Sequence, residues 1–247
     1  MQKDTVFQTD EIQIFEFNQA IANVFDDMLL RSIPFYKEVI ALSIEFLKHF
    51  IKELNAKGKE CVVYDLGSST GNFLFECERI FKLEGLRAKL IGIDNSSAMV
   101  QKARLKAKSL ESNIEFLELD LKDITFQTKD TNFIISHYTL QFLSPAIRKD
   151  VVKKICLALS KDSIFLMGEK IKSNDLNLDS LLTKKYYEYK EKQGYSKAEI
   201  YRKKEALENI LIPFSVEENE TMLKEAGFRH VEILFKWLNF TLFLSTK

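Results

Sequence analysis

The 247-residue chain predicts an α/β fold with a mostly parallel, seven-stranded sheet that ends in an antiparallel hairpin. Three observations predict it. Short β-type runs alternate with helical segments through the middle of the chain, the pattern of strand–helix–strand units. Runs such as Phe133-Ile134-Ile135 and Ile164-Phe165-Leu166-Met167 are apolar throughout, as strands covered on both faces are. Near the C-terminus two such runs are separated only by Leu238-Asn239, which leaves room for a tight turn alone.

Taken in order, residues 1–55 read as helices laid on the core; "RSIPFYKEVIALSIEFLKHF" repeats apolar residues at helical spacing. "ECVVYDL" (60–66) is a β-branched run that stops at glycine, and "GNFLFECERIFKLEG" (71–85) is helical. "AKLIGID" (88–94) is the second strand, followed by a helix over "SSAMVQKARLKAKSL". "NIEFLEL" (113–119), "NFIISHY" (132–138) and "SIFLMGE" (163–169) are three more strands. Ser144-Pro145 opens the helix between the last two, with serine at the N-cap and proline in the first turn. A helical region spans 174–210, a helix spans 215–227, and "HVEILFKW" and "FTLFLST" form the hairpin. A parallel sheet that ends this way matches the Class I S-adenosylmethionine-dependent methyltransferase variant of the Rossmann architecture better than the pure dinucleotide fold. Three prolines and no internal repeat offer no linker. Residues 1–247 therefore read as one domain, with the N-terminal helices (1–55) and a helical insertion (174–210) over the active site.

Composition narrows the function. Thirty-six basic and thirty-six acidic residues cancel, so a direct nucleic-acid partner is not expected. Cys61, Cys77 and Cys156 lie far apart, with no C-x-x-C and no Cys/His cluster, so neither a disulfide framework nor a metal site is expected. The polar N-terminus is no signal peptide, and no apolar run approaches the ~18 residues of a membrane span. The expectation is a cytoplasmic protein with no membrane partner. One local anomaly stands out: Thr183 to Lys204 holds eight Lys/Arg, three Glu and five of the eight tyrosines.

The sharpest motif is "YDLGSSTG" (64–71), which follows the first strand and opens a helix. Gly67 lets the chain turn sharply and a ligand approach the backbone. Asp94 closes the second strand, where a carboxylate can accept both hydroxyls of a ribose. Asp120 follows the third strand and can accept from an adenine amino group, while the N–H of Leu121 can donate to the ring. A nucleoside-type ligand follows from the combination. Gly67-x-x-x-Gly71, in place of G-x-G-x-x-G, favours S-adenosylmethionine over a dinucleotide, because a sulfonium ligand carries no pyrophosphate and needs no phosphate cradle.

"FEFNQAIANVFDDMLLRSIPFY" (15–36), "YDLGSSTGNF" (64–73), "IGIDNSSAMV" (91–100), "YTLQFLSP" (138–145), "YKEKQGYSKAEI" (189–200), "ALENILI" (206–212) and "FKWLNF" (235–240) carry a resemblance that runs nearly end to end. By these stretches the chain resembles the carboxy-S-adenosyl-L-methionine synthases of tRNA wobble-uridine modification. The resemblance implies a homodimer. It implies that S-adenosyl-L-methionine and prephenate are substrates, that carboxy-S-adenosyl-L-methionine and phenylpyruvate are products, and that a downstream tRNA carboxymethyltransferase uses the new group. It implies that Gly67, Ser68 and Ser69 hold the methionine end. Asp94 and Asn95 would take the ribose, Asp120 and Leu121 the adenine, and Tyr36 would close over the ligand.

Two positions depart from the family pattern. His137 stands where an asparagine is usual at the end of the fourth strand. Lys204 stands where the family's arginine is read as the partner of the new carboxylate, and a lysine loses the bidentate fork. Arg202, two residues away on a helix, would point elsewhere. His137 is a candidate base, although an amide suffices in the family, so a ligand contact fits as well. Arg31 is a second anion reader or part of a structural turn. Glu169 lines the pocket or pairs with a neighbour such as Lys170. One tyrosine of the cluster meets a substrate ring, or all are packing. An ordinary methyltransferase and a non-catalytic homologue remain the alternatives, the first weakened by the lack of a catalytic cysteine or an N-P-P-Y tetrad.

Overall fold

The computed structural model describes residues 2–8, 14–126 and 131–247. The elements follow the expected alternation: α1 (Gln19–Ser32), α2 (Tyr36–Ala56), β1 (Val62–Leu66), α3 (Asn72–Glu84), β2 (Lys89–Asp94), α4 (Ser97–Ser109), β3 (Glu115–Glu118), β4 (Thr131–His137), α5 (Pro145–Ala158), β5 (Leu159–Lys170), α6 (Leu176–Lys192), α7 (Lys197–Ala206), α8 (Val216–Ala226), β6 (His230–Trp237) and β7 (Phe240–Thr246). The strands form one sheet in the order β3-β2-β1-β4-β5-β7-β6. The pairs among β1 to β5 are parallel, whereas β7 runs antiparallel to both β5 and β6. This is the expected mostly parallel sheet with a terminal hairpin.

Each central strand buries both faces. Along β4, Phe133 and Ile135 enter the layer under α2 and α3, while Ile134 enters the opposite layer with α5 and α8. α2 contributes Ile44, Leu47 and Ile51 to the first layer, one turn apart and fully buried. Val151, Val152 and Ile155 of α5 and Met222 and Leu223 of α8 fill the second. The order reverses between β1 and β4, because β1 leads outward to β2 and β4 leads the other way to β5. A crevice therefore opens at the carboxyl ends of β1 and β4, the standard ligand position of such sheets.

Local chemistry sets the helix ends. Asn18 caps α1 by accepting from the N–H groups of Ala20 and Ile21. Ser196 and Ser215 open α7 and α8 with full capping boxes, closed by Glu199 and Glu218. Ser144 does occupy the N-cap of α5 ahead of Pro145, but its hydroxyl makes no capping bond among the described residues. The helical region at 174–210 is two helices. Gly194, with φ +86°, breaks it.

Two smaller clusters cover the crevice. Phe15, Ile21, Phe25 and Met28 pack with Met99 and Ala206, and Ile33 packs with Tyr138, Tyr186 and Phe240. The N-terminal arm is tied to the far end of the chain. The Tyr195 hydroxyl donates to Asp4 Oδ2 at 2.6 Å, the Phe15 N–H to the Ala206 carbonyl at 3.1 Å, and Arg202 to the Phe7 carbonyl at 2.9 Å. Among the described residues no helix is long and apolar enough to cross a membrane.

Candidate active site

A cavity of about 380 Å³ fills the crevice between the sheet and its cover. Its floor is the glycine turn after β1. Gly67 sits at φ +76°, and a Cβ there would lie 2.2 Å from the Thr139 side chain, so only glycine fits. The N–H groups of Gly67 and Ser68 donate to the Ile93 carbonyl at 2.7 and 2.9 Å, and that of Ser69 to Asp94 Oδ2 at 2.8 Å. All three are engaged with β2 and its end, so the turn offers no nest of free donors for a pyrophosphate. It does present the Ser68 hydroxyl, which is buried without a partner among the described residues.

Three acids stand around this floor. Asp94 Oδ1 accepts from the Ser96 N–H at 2.9 Å while Oδ2 takes Ser69, and each oxygen keeps a lone pair for a ligand hydroxyl. Burial raises its pKa against the pull of those hydrogen bonds. Asp120 caps the short turn after β3 by accepting from the Lys122 N–H at 3.0 Å. Asp65, the penultimate residue of β1, is the third; burial, then the nearby Asp94 charge, pushes it up to about 8. It needs a cation to ionise fully at neutral pH.

The cavity lining is otherwise aromatic and basic. Tyr36 opens α2, directly after Phe35 in the left-handed conformation at φ 55°. Burial, then the neighbouring Asp65, raises its phenol well above the usual range. His137 is half-buried against the Phe73 ring, 4.9 Å between centroids, and desolvation pushes it down to about 3, so the imidazole is neutral at ordinary pH. Tyr138, Tyr186 and Phe240 form an aromatic corner, with Phe240 5.9 Å from Tyr138 and 5.1 Å from Tyr186. Lys170 and Lys203 also line the cavity.

The cavity brings together Tyr36, Gly67, Ser68, Ser69, Asp94, Asn95, Asp120, Leu121 and His137 from five separate stretches of chain. It does not include Lys204, whose side chain is 58% exposed and lies 3.8 Å from Glu205. The correction is one of helix phase. α7 buries Glu199, Ile200, Lys203 and Ala206, an arc centred on Lys203. Ile200 lies within one turn of both lysines and does not discriminate between them, whereas Glu199, buried as the capping-box acid, does.

Arg31 is structural: its guanidinium pairs with Asp27 at 3.2 Å, donates to the Gln193 carbonyl at 2.9 Å and covers the Tyr195 ring. Glu169 neither lines the cavity nor pairs with Lys170. It accepts from the Leu140 N–H at 3.1 Å, and burial pushes it up to about 8. Among the cluster tyrosines, Tyr186 lines the cavity. The sequence analysis passed over Asp65, Lys170 and Lys203. Asp65 sat inside the quoted "YDLGSSTG" and Lys170 directly follows "SIFLMGE", and the signal that finds them is an ionisable residue at the carboxyl end of an otherwise apolar parallel strand.

A family profile described as "Methyltransferase domain" matches residues 57–227. The chain is 44% identical over 245 residues to the carboxy-S-adenosyl-L-methionine synthase of Wolinella succinogenes, covering 99% of this chain and 98% of that one. It is 45% identical over 244 residues to the protein of the same name from Sulfurimonas denitrificans, with 99% of both covered. Among solved structures, human N-acetylserotonin methyltransferase in complex with S-adenosylmethionine superposes with a TM-score of 0.62 at 14% identity, over 93% of this chain and 55% of that one. A putative O-methyltransferase from Nostoc punctiforme gives 0.62, also at 14%, over 93% and 60%. These structural likenesses carry the fold: a Class I methyltransferase-like α/β sheet.

Proposed function

The chain belongs to the carboxy-S-adenosyl-L-methionine synthase family, a family of transferases, and from that premise we propose that it converts S-adenosyl-L-methionine and prephenate to carboxy-S-adenosyl-L-methionine and phenylpyruvate. The methyl carbon on sulfur gives up a proton and becomes an ylide. Prephenate loses its ring carboxylate as carbon dioxide and its ring hydroxyl as hydroxide, and is left aromatic. The ylide carbon bonds to the carbon dioxide, and the hydroxide and the methyl proton leave as water. A covered cavity keeps bulk water from quenching the ylide.

The observation that carries this reading is the division of one cavity into two chemistries. Asp65, Asp94 and Asp120 surround the glycine turn, fit for a cationic nucleoside. Lys170, Lys203 and the rings of Tyr138, Tyr186 and Phe240 line the same cavity, fit for a cyclic anion. In this reading Gly67, Ser68 and Ser69 hold the methionine end, Asp94 and Asn95 the ribose, Asp120 and Leu121 the adenine, and Tyr36 and His137 close the pocket. In this reading the reaction uses no metal.

The same reading makes residues 1–247 one domain in a cytoplasmic homodimer that supplies a downstream tRNA carboxymethyltransferase and does not itself bind nucleic acid. Leu178 and Leu181, about half exposed and one turn apart on α6, support a second copy as partner. An exposed Lys204 can then read a carboxylate only in the partner's cavity. The test is incubation of the protein with S-adenosylmethionine and prephenate, followed by mass spectrometry. Carboxy-S-adenosyl-L-methionine and phenylpyruvate in equal amounts are expected. Unmodified S-adenosylmethionine would return the protein to an ordinary methyltransferase or a non-catalytic homologue.

A further inference from the structure

The tyrosine-rich basic stretch folds into a ladder of cations and rings. Lys170 Nζ lies 5.2 Å from the centre of the Tyr186 ring. Lys190 Nζ lies 5.7 Å from Tyr186 and 5.1 Å from Tyr195. Lys203 Nζ lies 5.8 Å from Tyr195, whose ring Arg31 also covers at 4.0 Å. The ring faces offset part of the cost of this arrangement. Acids offset another part: Asp4 acts on Lys190 and Lys203, and Asp179 on Lys170, without direct contact. Asp27 is taken by Arg31, and Asp4 accepts from Tyr195. Among the described residues no carboxylate ion-pairs with Lys170, Lys190 or Lys203. Lys203 makes one side-chain hydrogen bond, to Ser32 Oγ at 3.0 Å.

Buried amines without counter-charges are costly. Lys190 and Lys203 are only 4% and 7% exposed. Burial holds all three lysines below the usual range, Lys203 at about 8, and Lys190 is lowered further by Lys203 and Lys170. Lys170 and Lys203 line the cavity, and Lys190, which does not, shares the rings of Tyr186 and Tyr195 with them. Two buried cations with no ion-pair partner among the described residues, beside an aromatic corner, make an anion site.

We propose that Lys170 and Lys203 bind the two carboxylates of the second substrate, a cyclic dicarboxylate whose ring lies against Tyr138, Tyr186 and Phe240, and that Lys190 is a positioning residue that holds the two tyrosines between them. This rests on the reading of prephenate as second substrate. Lys170→Met and Lys203→Met keep the aliphatic stems and remove the charges. Each is expected to raise the KM for prephenate about tenfold to a hundredfold, the range for a charged hydrogen bond. S-adenosylmethionine affinity by calorimetry should stay within about twofold, and Tm should hold or rise, because an unpaired buried charge has gone. A lower Tm with an unchanged KM would make the lysines structural and overturn the proposal.

A wild-type measurement stands beside these in case a variant does not fold. Saturating prephenate, but not S-adenosylmethionine alone, should protect Lys170 and Lys203 from reductive methylation, read by peptide mass spectrometry. Equal labelling with and without prephenate would overturn the assignment even though turnover persists. No turnover and no binding of prephenate by the wild type would instead sink the substrate reading itself.

Discussion

Nε2 of His137 lies 3.0 Å from Oγ of Ser43, and that hydroxyl donates its own proton to the Val39 carbonyl at 2.8 Å. Ser43 therefore accepts from His137, so Nε2 carries the imidazole proton and Nδ1 is left as a bare acceptor. Nδ1 is buried and has no partner among the described residues. An amide oxygen at this position would offer the same acceptor.

His137→Asn should therefore keep S-adenosylmethionine affinity within a few-fold, and His137→Leu should lose much more, both read by calorimetry. The pH dependence follows from a folded-state pKa of about 3, below the usual 6.5. The unfolded chain binds the extra proton, so His137 leaves stability intact above about pH 6.5 and erodes it by roughly 1.4 kcal/mol per unit as pH falls toward 3. Urea titrations at several pH values should show His137→Asn gaining on the wild type below pH 6.5. Parallel curves would refute the neutral imidazole.

Asp65 has the opposite sign. Its folded-state pKa is raised to about 8, so its contribution is full below about pH 4 and is lost as pH rises toward 8. Asp65→Asn should gain stability on the wild type across that window, while binding the cationic ligand more weakly. Ligand binding at pH 7 should expel a proton from the wild type as the carboxyl ionises beside the sulfonium and ammonium groups. Calorimetry in buffers of different ionisation enthalpy measures this, and Asp65→Asn should release none.

Gly67→Ala places a methyl at φ +76° and 2.2 Å from Thr139. Strain of about 1–3 kcal/mol is expected from the backbone alone. Thr139→Ala should rescue little, because the Thr139 Cβ is itself 2.7 Å from the added carbon. Denaturant melts of the single and double variants test this; recovery in the double variant would contradict it.

If Lys204 acts across a subunit boundary, Lys204→Ala and Lys203→Met, each impaired alone, should regain activity when mixed and allowed to exchange subunits. One hybrid site then has both lysines intact. Activity of the mixture equal to the mean of the two variants would exclude the shared site.

The sheet was legible because its signals are local. The run of Phe133 to Ile135, the glycine that stops β1 and the two-residue gap at Leu238-Asn239 each mean one thing in any protein. Gly67, Asp94 and Asp120 were legible because the carboxyl end of a parallel strand is a fixed address. Lys203 was not. Choosing it over Lys204 takes a helix phase accurate to one residue, and Glu199, a charged residue that the capping box buries, disguises the inward face. The part of Arg31 was illegible for a related reason: its partners Asp4 and Gln193 come from distant sequence, and only the assembled cover brings them to it.

The tie between Asp4 and Tyr195 also orders events during synthesis. The floor of the cavity, from β1 to β4, is complete once residue 137 has left the ribosome. The N-terminal arm emerges first, yet its anchors at Tyr195, Arg202 and Ala206 are made some 190 residues later. Domains acquire structure as they emerge. These three ties therefore wait until residue 206 has been made, and until then Asp4 has Asp27 and Arg31 of the neighbouring helix to hold it.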